Sequence, residues 1–116
     1  MKTMKRYLLV YRYDAQELPK GSPEELQAMT KKWMDWIGGI AAQDKLDDRG
    51  NRLEFGGRTI RPNQVITDGP YTEVKELIGG YSIIKANSLD EATQLSLQCP
   101  IFLTGGSVEV RPVNEL

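Results

Sequence analysis

The spacing of apolar residues changes period twice along this chain, and each change marks an element. Over residues 6–13, RYLLVYRY, the residues Tyr7, Leu9, Tyr11 and Tyr13 fall on one side of an extended backbone, and Leu8 and Val10 on the other. Both sides are apolar, so the pattern predicts a strand whose two faces are both covered. At Ser22-Pro23-Glu24-Glu25 the signals become helical. Ser22 can cap, Pro23 suits the first helical position, and Glu25 completes a capping box. Leu26, Met29, Trp33, Trp36, Ile37 and Ile40 then recur at helical spacing, with Lys31, Lys32 and Asp35 on the opposite side. A helix over about 23–43 follows. The two tryptophans admit a ligand-box reading, but an aromatic stripe on a helix is ordinarily core.

From Asp44 to Arg61 the chain is polar and glycine-rich. Short extended pieces are expected at Arg52–Phe55 and Arg58–Arg61, with a turn at Gly56-Gly57, and another short strand at Gln64–Thr67. Thr72–Ile78 is read as a single helical turn ended by Gly79. Gly80–Asn87 is read as a strand, with Tyr81 and Ile83 on one face and Ile84 and Ala86 on the other. Ser88-Leu89-Asp90-Glu91 repeats the capping signature and predicts a helix to about Gln98, stopped before Pro100, with Leu89, Ala92 and Leu95 buried. Gly106–Val113, GSVEVRPV, is the last strand, with Val108 and Val110 opposite Glu109 and Arg111.

The order of elements is the split βαβ pattern of a ferredoxin-like α+β sandwich with an antiparallel sheet. Two helices cover one face of such a sheet. Either Tyr7, Leu9 and Tyr11 or else Leu8 and Val10 must then lie on the uncovered face. An apolar sheet face on the order of several hundred Å² is rare on a monomer, so the pattern predicts a homodimer packed face to face.

Composition narrows the chemistry more than it suggests any. Residues 1–116 are expected to form one domain. Fifteen basic residues nearly balance sixteen acidic ones, which argues against nucleic-acid binding. Histidine is absent, and with it Ser-His-Asp and Cys-His catalysis and His-containing metal sites. Cys99 is the only cysteine, so no intrachain disulfide or thiolate cage can form. A reducing cytoplasm is the expected setting, with Cys99 a small buried hydrophobe. The start MKTMKRYLLVYRY resembles a signal peptide superficially, but Tyr7, Tyr11, Arg12 and Tyr13 interrupt its apolar stretch. No apolar run approaches a membrane span. A P-loop, a dinucleotide fingerprint and a calcium loop are all missing, and Gly56-Gly57, Gly79-Gly80 and Gly105-Gly106 read as turns. No cofactor is expected.

The densest cluster of candidate chemistry is Thr67–Tyr81, TDGPYTEVKELIGGY. Asp68 has two compatible readings: an Asx-type turn acceptor, or a general base whose carboxyl is raised by partial burial. Glu73, Lys75 and Glu76 read as a solvated face, with Lys75 the member that could reach an anionic ligand or Glu109. In the last strand, Glu109 and Arg111 share a face. They read either as an interface ion pair or as a site in which Arg111 clamps a substrate carboxylate while Glu109 or Asp68 moves a proton.

With Asp68-Gly69-Pro70-Tyr71, Glu73, Lys75-Glu76, Gly79-Gly80-Tyr81, Leu89-Asp90-Glu91-Ala92, Cys99-Pro100 and Gly105–Val113 in hand, the chain resembles the YCII-related family, specifically its DGPF-domain branch. The resemblance runs over essentially the whole chain and implies a ferredoxin-like fold assembled as a dimeric α+β barrel. It implies no assigned activity for most members. The wider group suggests a His-Asp pair at a cleft and one activity that removes chloride from a chlorinated aromatic; without histidine that pair cannot be carried over. Tyr71 stands where the branch has phenylalanine. Some branch members are associated with extracytoplasmic-function sigma factors.

The expectation is a small cytoplasmic dimer binding a small anionic or aromatic molecule between its sheets. If it is an enzyme, Asp68 is the candidate general base with Glu109 a second candidate, and Tyr71, Lys75 and Arg111 orient substrate. The alternative is a non-catalytic regulatory or interaction module, acting with a sigma factor. An enzyme should show a cavity of a few hundred Å³ with Asp68 or Glu109 reaching into it. A module should show Glu109 and Arg111 satisfied by one another.

Overall fold

A computed structural model describes residues 3–14, 21–54, 56–69 and 76–115. Its order is β1 (Lys5–Asp14), α1 (Pro23–Ala42), β2 (Leu46–Asp48), β3 (Arg58–Arg61), β4 (Val65–Asp68), β5 (Glu76–Ala86), α2 (Leu89–Ser96) and β6 (Ser107–Pro112). Strands β2, β5, β1 and β6 lie side by side in that order, every pair antiparallel. This is the expected ferredoxin-like α+β sheet. β3 and β4 form a separate two-stranded ribbon inserted between the second and third strands of that sheet.

Alternation in β1 decides which face the helices take. Tyr7, Leu9 and Tyr11 are buried, together with Ser82, Ile84 and Ala86 of β5. Val108 and Val110 of β6 and Leu46 of β2 pack against the same core. From the helix side come Ile40, Trp33 and Trp36 of α1, Ala92 and Leu95 of α2, and Cys99 and Ile101 beyond it. The rings of Trp33 and Trp36 meet Tyr11 edge-on at centroid distances of 4.9 and 6.2 Å, a favoured aromatic geometry. Trp36 Nε1 donates to the Leu95 carbonyl at 3.0 Å and ties the helices together. The core reading therefore holds for Trp36. Leu8 and Val10 occupy the other face, which none of the described elements covers.

Both helices begin as their capping residues predict. The Glu25 N–H donates to Ser22 Oγ and the Glu91 N–H to Ser88 Oγ, each at 3.1 Å. Three expectations need correcting. Gly79-Gly80 is not a turn and does not end a helix. Both glycines lie inside β5, which begins at Glu76 because β1 keeps pairing with it as far as Asp14; residues 72–75 of the expected helical turn lie outside the described residues. Helix α2 ends at Ser96, with Leu97 and Gln98 in a turn. Leu89, at its first position, is exposed, and Ala92, Leu95 and Ser96 supply the inward side.

Candidate functional site

The covered side of the sheet does not close completely. Between α1 and the strands lies a cavity of about 480 Å³, within the range of small-molecule sites. Trp33, Met29, Met34 and Ile37 of α1 form one wall. Tyr11 and Tyr13 of β1 and Gly79–Ser82 of β5 form another. Residues 49–52, Arg-Gly-Asn-Arg, close the edge.

Two glycines make this geometry. After β2 the chain keeps following β5: the Tyr81 N–H donates to the Asn51 carbonyl at 3.3 Å and the Leu53 N–H to the Gly79 carbonyl at 2.9 Å. It does so by turning at Gly50, whose N–H donates to Asp48 Oδ1 at 2.8 Å. Gly50 has φ +73°, and a Cβ there would stand 1.7 Å from the Tyr81 carbonyl oxygen, so no other residue fits without moving the backbone. Gly79 is the extra residue of a bulge, since Tyr11 pairs with Gly80 but Arg12 with Ile78. A Cβ on Gly79 would lie 2.2 Å from the Tyr13 ring; its absence lets that ring lie across the strand. Bulges commonly re-aim side chains beside sites in this way.

Polar groups in the cavity are few and ordered. Tyr11 Oη donates to Ser82 Oγ at 2.8 Å, and Ser82 Oγ donates to the Arg49 carbonyl at 2.6 Å. This relay fastens the 49–52 edge to the core. On the opposite face of β5, Asn51 Nδ2 donates to Tyr81 Oη at 3.3 Å. Burial raises the Tyr11 phenol above its ordinary range, against a smaller opposing effect of the Ser82 hydrogen bond. Burial also raises Tyr13, opposed by the charge of Arg52. Both phenols therefore stay neutral. No carboxylate is among the described residues of the cavity wall. Cys99 lies in the core with its thiol pushed up to about 12 by burial, a protonated and unreactive state.

The residues singled out in the sequence are placed elsewhere. Asp68 ends β4 on the ribbon, its side chain 97% exposed and 3.7 Å from Arg58 Nε, so the burial expected to raise its carboxyl is absent. It does not line the cavity. Glu109 and Arg111 do share a face, the uncovered one, 3.6 Å apart. A third member, Arg12 of β1, was not anticipated: its Nη2 donates to Glu109 Oε1 at 3.1 Å. Tyr71 and Lys75 lie outside the described residues. Sequence reading placed Tyr13 and Arg52 in extended segments but gave neither them nor Arg49 and Gly50 a role in a site. The one available signal was that Tyr11 and Tyr13 share the parity of the strand face that must meet the tryptophan stripe.

On the uncovered face Leu8, Val10, Tyr81 and Ile83 are half-buried at the centre. Around them, Arg6 pairs with Asp47 and Glu115, and Glu109 with its two arginines. Among the described residues no three His, Cys, Asp or Glu side chains gather as metal ligands, and no helix is long and apolar enough to cross a membrane.

The fold and cavity together define a ferredoxin-like α+β protein with a recess between its first helix and its sheet. The YCII-related domain matches residues 4–116, and the chain belongs to that family. No curated protein matches it at a significant level.

Proposed function

We propose that the protein is a homodimeric small-molecule binder, taking an anionic or aromatic ligand into the cavity between α1 and the sheet of each protomer. The observation that carries this is the cavity itself: about 480 Å³, walled by Trp33, Tyr11 and Tyr13 and held open by Gly50 and Gly79. Binding fits better than proton transfer. A general base or acid at neutral pH needs a group poised near that pH, whereas the titratable groups shifted within this wall, Tyr11 and Tyr13, move further from it. An acid–base reaction using Asp68 or Glu109 would need a second chain to bring those carboxylates to the ligand.

The dimer is formed by the uncovered face. Its centre of Leu8, Val10, Tyr81 and Ile83 is apolar, and its charges already neutralise one another, so a second copy can cover them without stranding an unpaired charge. The same pairing favours the interaction-module reading for this one face, with Glu109 setting register. The whole chain acts as one domain, and its single buried thiol suits the cytoplasm. Tryptophan fluorescence tests the cavity. Saturable quenching by indole or benzoate that is lost in Trp33→Phe and kept in Trp36→Phe is the expected result. Identical titrations in both variants would place the ligand elsewhere.

A further inference from the structure

Each arginine of the uncovered face and the ribbon for which an ion pair is described has a carboxylate: Arg6 with Asp47 and Glu115, Arg12 and Arg111 with Glu109, and Arg58 with Asp68. The two that line the cavity, Arg49 and Arg52, have no carboxylate within ion-pair distance among the described residues. They flank Gly50-Asn51 on the edge that the Tyr11–Ser82 relay fastens in place. Arg52 shares the cavity wall with Tyr13, and its charge opposes the effect of burial on that phenol. Two arginines lining an aromatic recess whose described wall holds no acid are a chemical specification. A carboxylate would satisfy them with charge-assisted, forked hydrogen bonds. A planar ring would fill the space against Trp33 and Tyr13. An ammonium group would meet two like charges and no counterion among the described lining residues, and exclusion by an unpaired charge is a strong source of specificity.

Resting on the cavity reading above, we infer that the ligand is an aromatic carboxylic acid without an amino group, its carboxylate held by Arg49 and Arg52 and its ring by Trp33 and Tyr13. The site thereby prefers such acids to aromatic amino acids and to neutral aromatics of the same shape.

The test is a set of matched probes titrated by calorimetry and tryptophan fluorescence. Phenylacetate and indole-3-acetate are compared with their primary amides and with phenylalanine and tryptophan. The acids are expected to bind at least about tenfold more tightly than either comparison group, consistent with the strength of charge-assisted hydrogen bonds. Arg49→Gln/Arg52→Gln should abolish the preference of acid over amide while the amides bind as before. Both arginines are exposed, so the variant is expected to fold, and unchanged amide binding confirms that it has. Arg58→Gln, on the ribbon, should leave every affinity unchanged. Equal affinity for acid and amide in the wild type, or a preference surviving in the double variant, would overturn the carboxylate assignment and leave the cavity reading standing. Absence of saturable binding by all six compounds would remove both.

Discussion

The two faces of the sheet are built from the same strands, yet they dispose of surface and charge in opposite ways. On the helix-covered face Tyr7, Leu9 and Ile84 are buried, and a recess remains whose edge carries Arg49 and Arg52 without a described carboxylate. On the uncovered face the apolar residues stay half-buried, and Arg6, Arg12 and Arg111 each have an acid within 4 Å. The contrast separates two kinds of incompleteness. A surface to be closed by protein gains from neutralising its charges internally, because a buried unpaired charge costs about 3–5 kcal/mol. A surface to be completed by an anion keeps its cations available. Charge pairing thus distinguishes the proposed interface from the proposed ligand site, where apolarity alone would not.

The largest effect should come from neighbouring residues on opposite faces. Leu9 is fully buried, so Leu9→Ala should cost about 2–5 kcal/mol in urea unfolding, as deletions in packed cores do. Leu8, one position along, is half-buried and faces outward. Leu8→Asp should leave each protomer folded but split the dimer, turning the sedimenting species into a 13.1 kDa particle. Should the wild type already sediment as that particle at micromolar concentration, the face is not an interface. Should Leu8→Asp unfold the protomer as severely as Leu9→Ala, the two faces are not distinct in the way described.

Alkaline pH should act next, and through the covered side. Cys99 is raised to about 12, and Tyr11 and Tyr13 are raised as well, all chiefly by burial. Each is an acid whose folded value exceeds its unfolded one, so the unfolded chain loses its protons first as pH rises. The stability these groups contribute is complete below the unfolded values of about 8.5 for cysteine and 10 for tyrosine, and is lost as pH climbs through the folded ones. Unfolding free energy should therefore be level near neutrality and fall above about pH 9. Cys99→Ala and Tyr11→Phe should each flatten that fall, whatever they do to stability at neutral pH. A slope unchanged in both variants would show that other groups drive it.

Much of the architecture was legible because it is written in local rules. Alternation in β1 and β6, the stripe of α1 and both capping serines each followed from neighbours in sequence, and Glu109 with Arg111 came to one face as strand parity requires. The start of β5 was not legible. A glycine pair after a polar stretch reads as a stop, and only the Tyr13 ring, far away in sequence, shows why Gly79 belongs inside a strand. The cavity escaped for the same reason. Its lining comes from four separated segments, and neither Arg49 nor Arg52 sits in a motif. Its defining property, two cations without a described acid, exists only once every other ion pair has been placed. Asp68 drew attention through a conspicuous local sequence, but burial is a tertiary property and the ribbon does not supply it.

Asp68 is accordingly where the smallest effect is expected. Its partner Arg58 is itself mostly exposed and 3.7 Å away, and exposed pairs of this kind contribute about 0.5 kcal/mol or less once side-chain ordering and screening are counted. Asp68→Asn should shift the urea midpoint by no more than that, and the shift should vanish in high salt, where such pairs are screened. Probe binding in the cavity should not change, because Asp68 does not line it. The comparison of faces turns sharper if this holds, since the acid–base and binding readings then part company on one substitution. A loss of several-fold in probe affinity, or a destabilisation that persists in high salt, would mean that Asp68 is covered in solution by another chain. In that case the ribbon, and not only the sheet face, would belong to the interface, and the carboxylate would regain a claim to the chemistry.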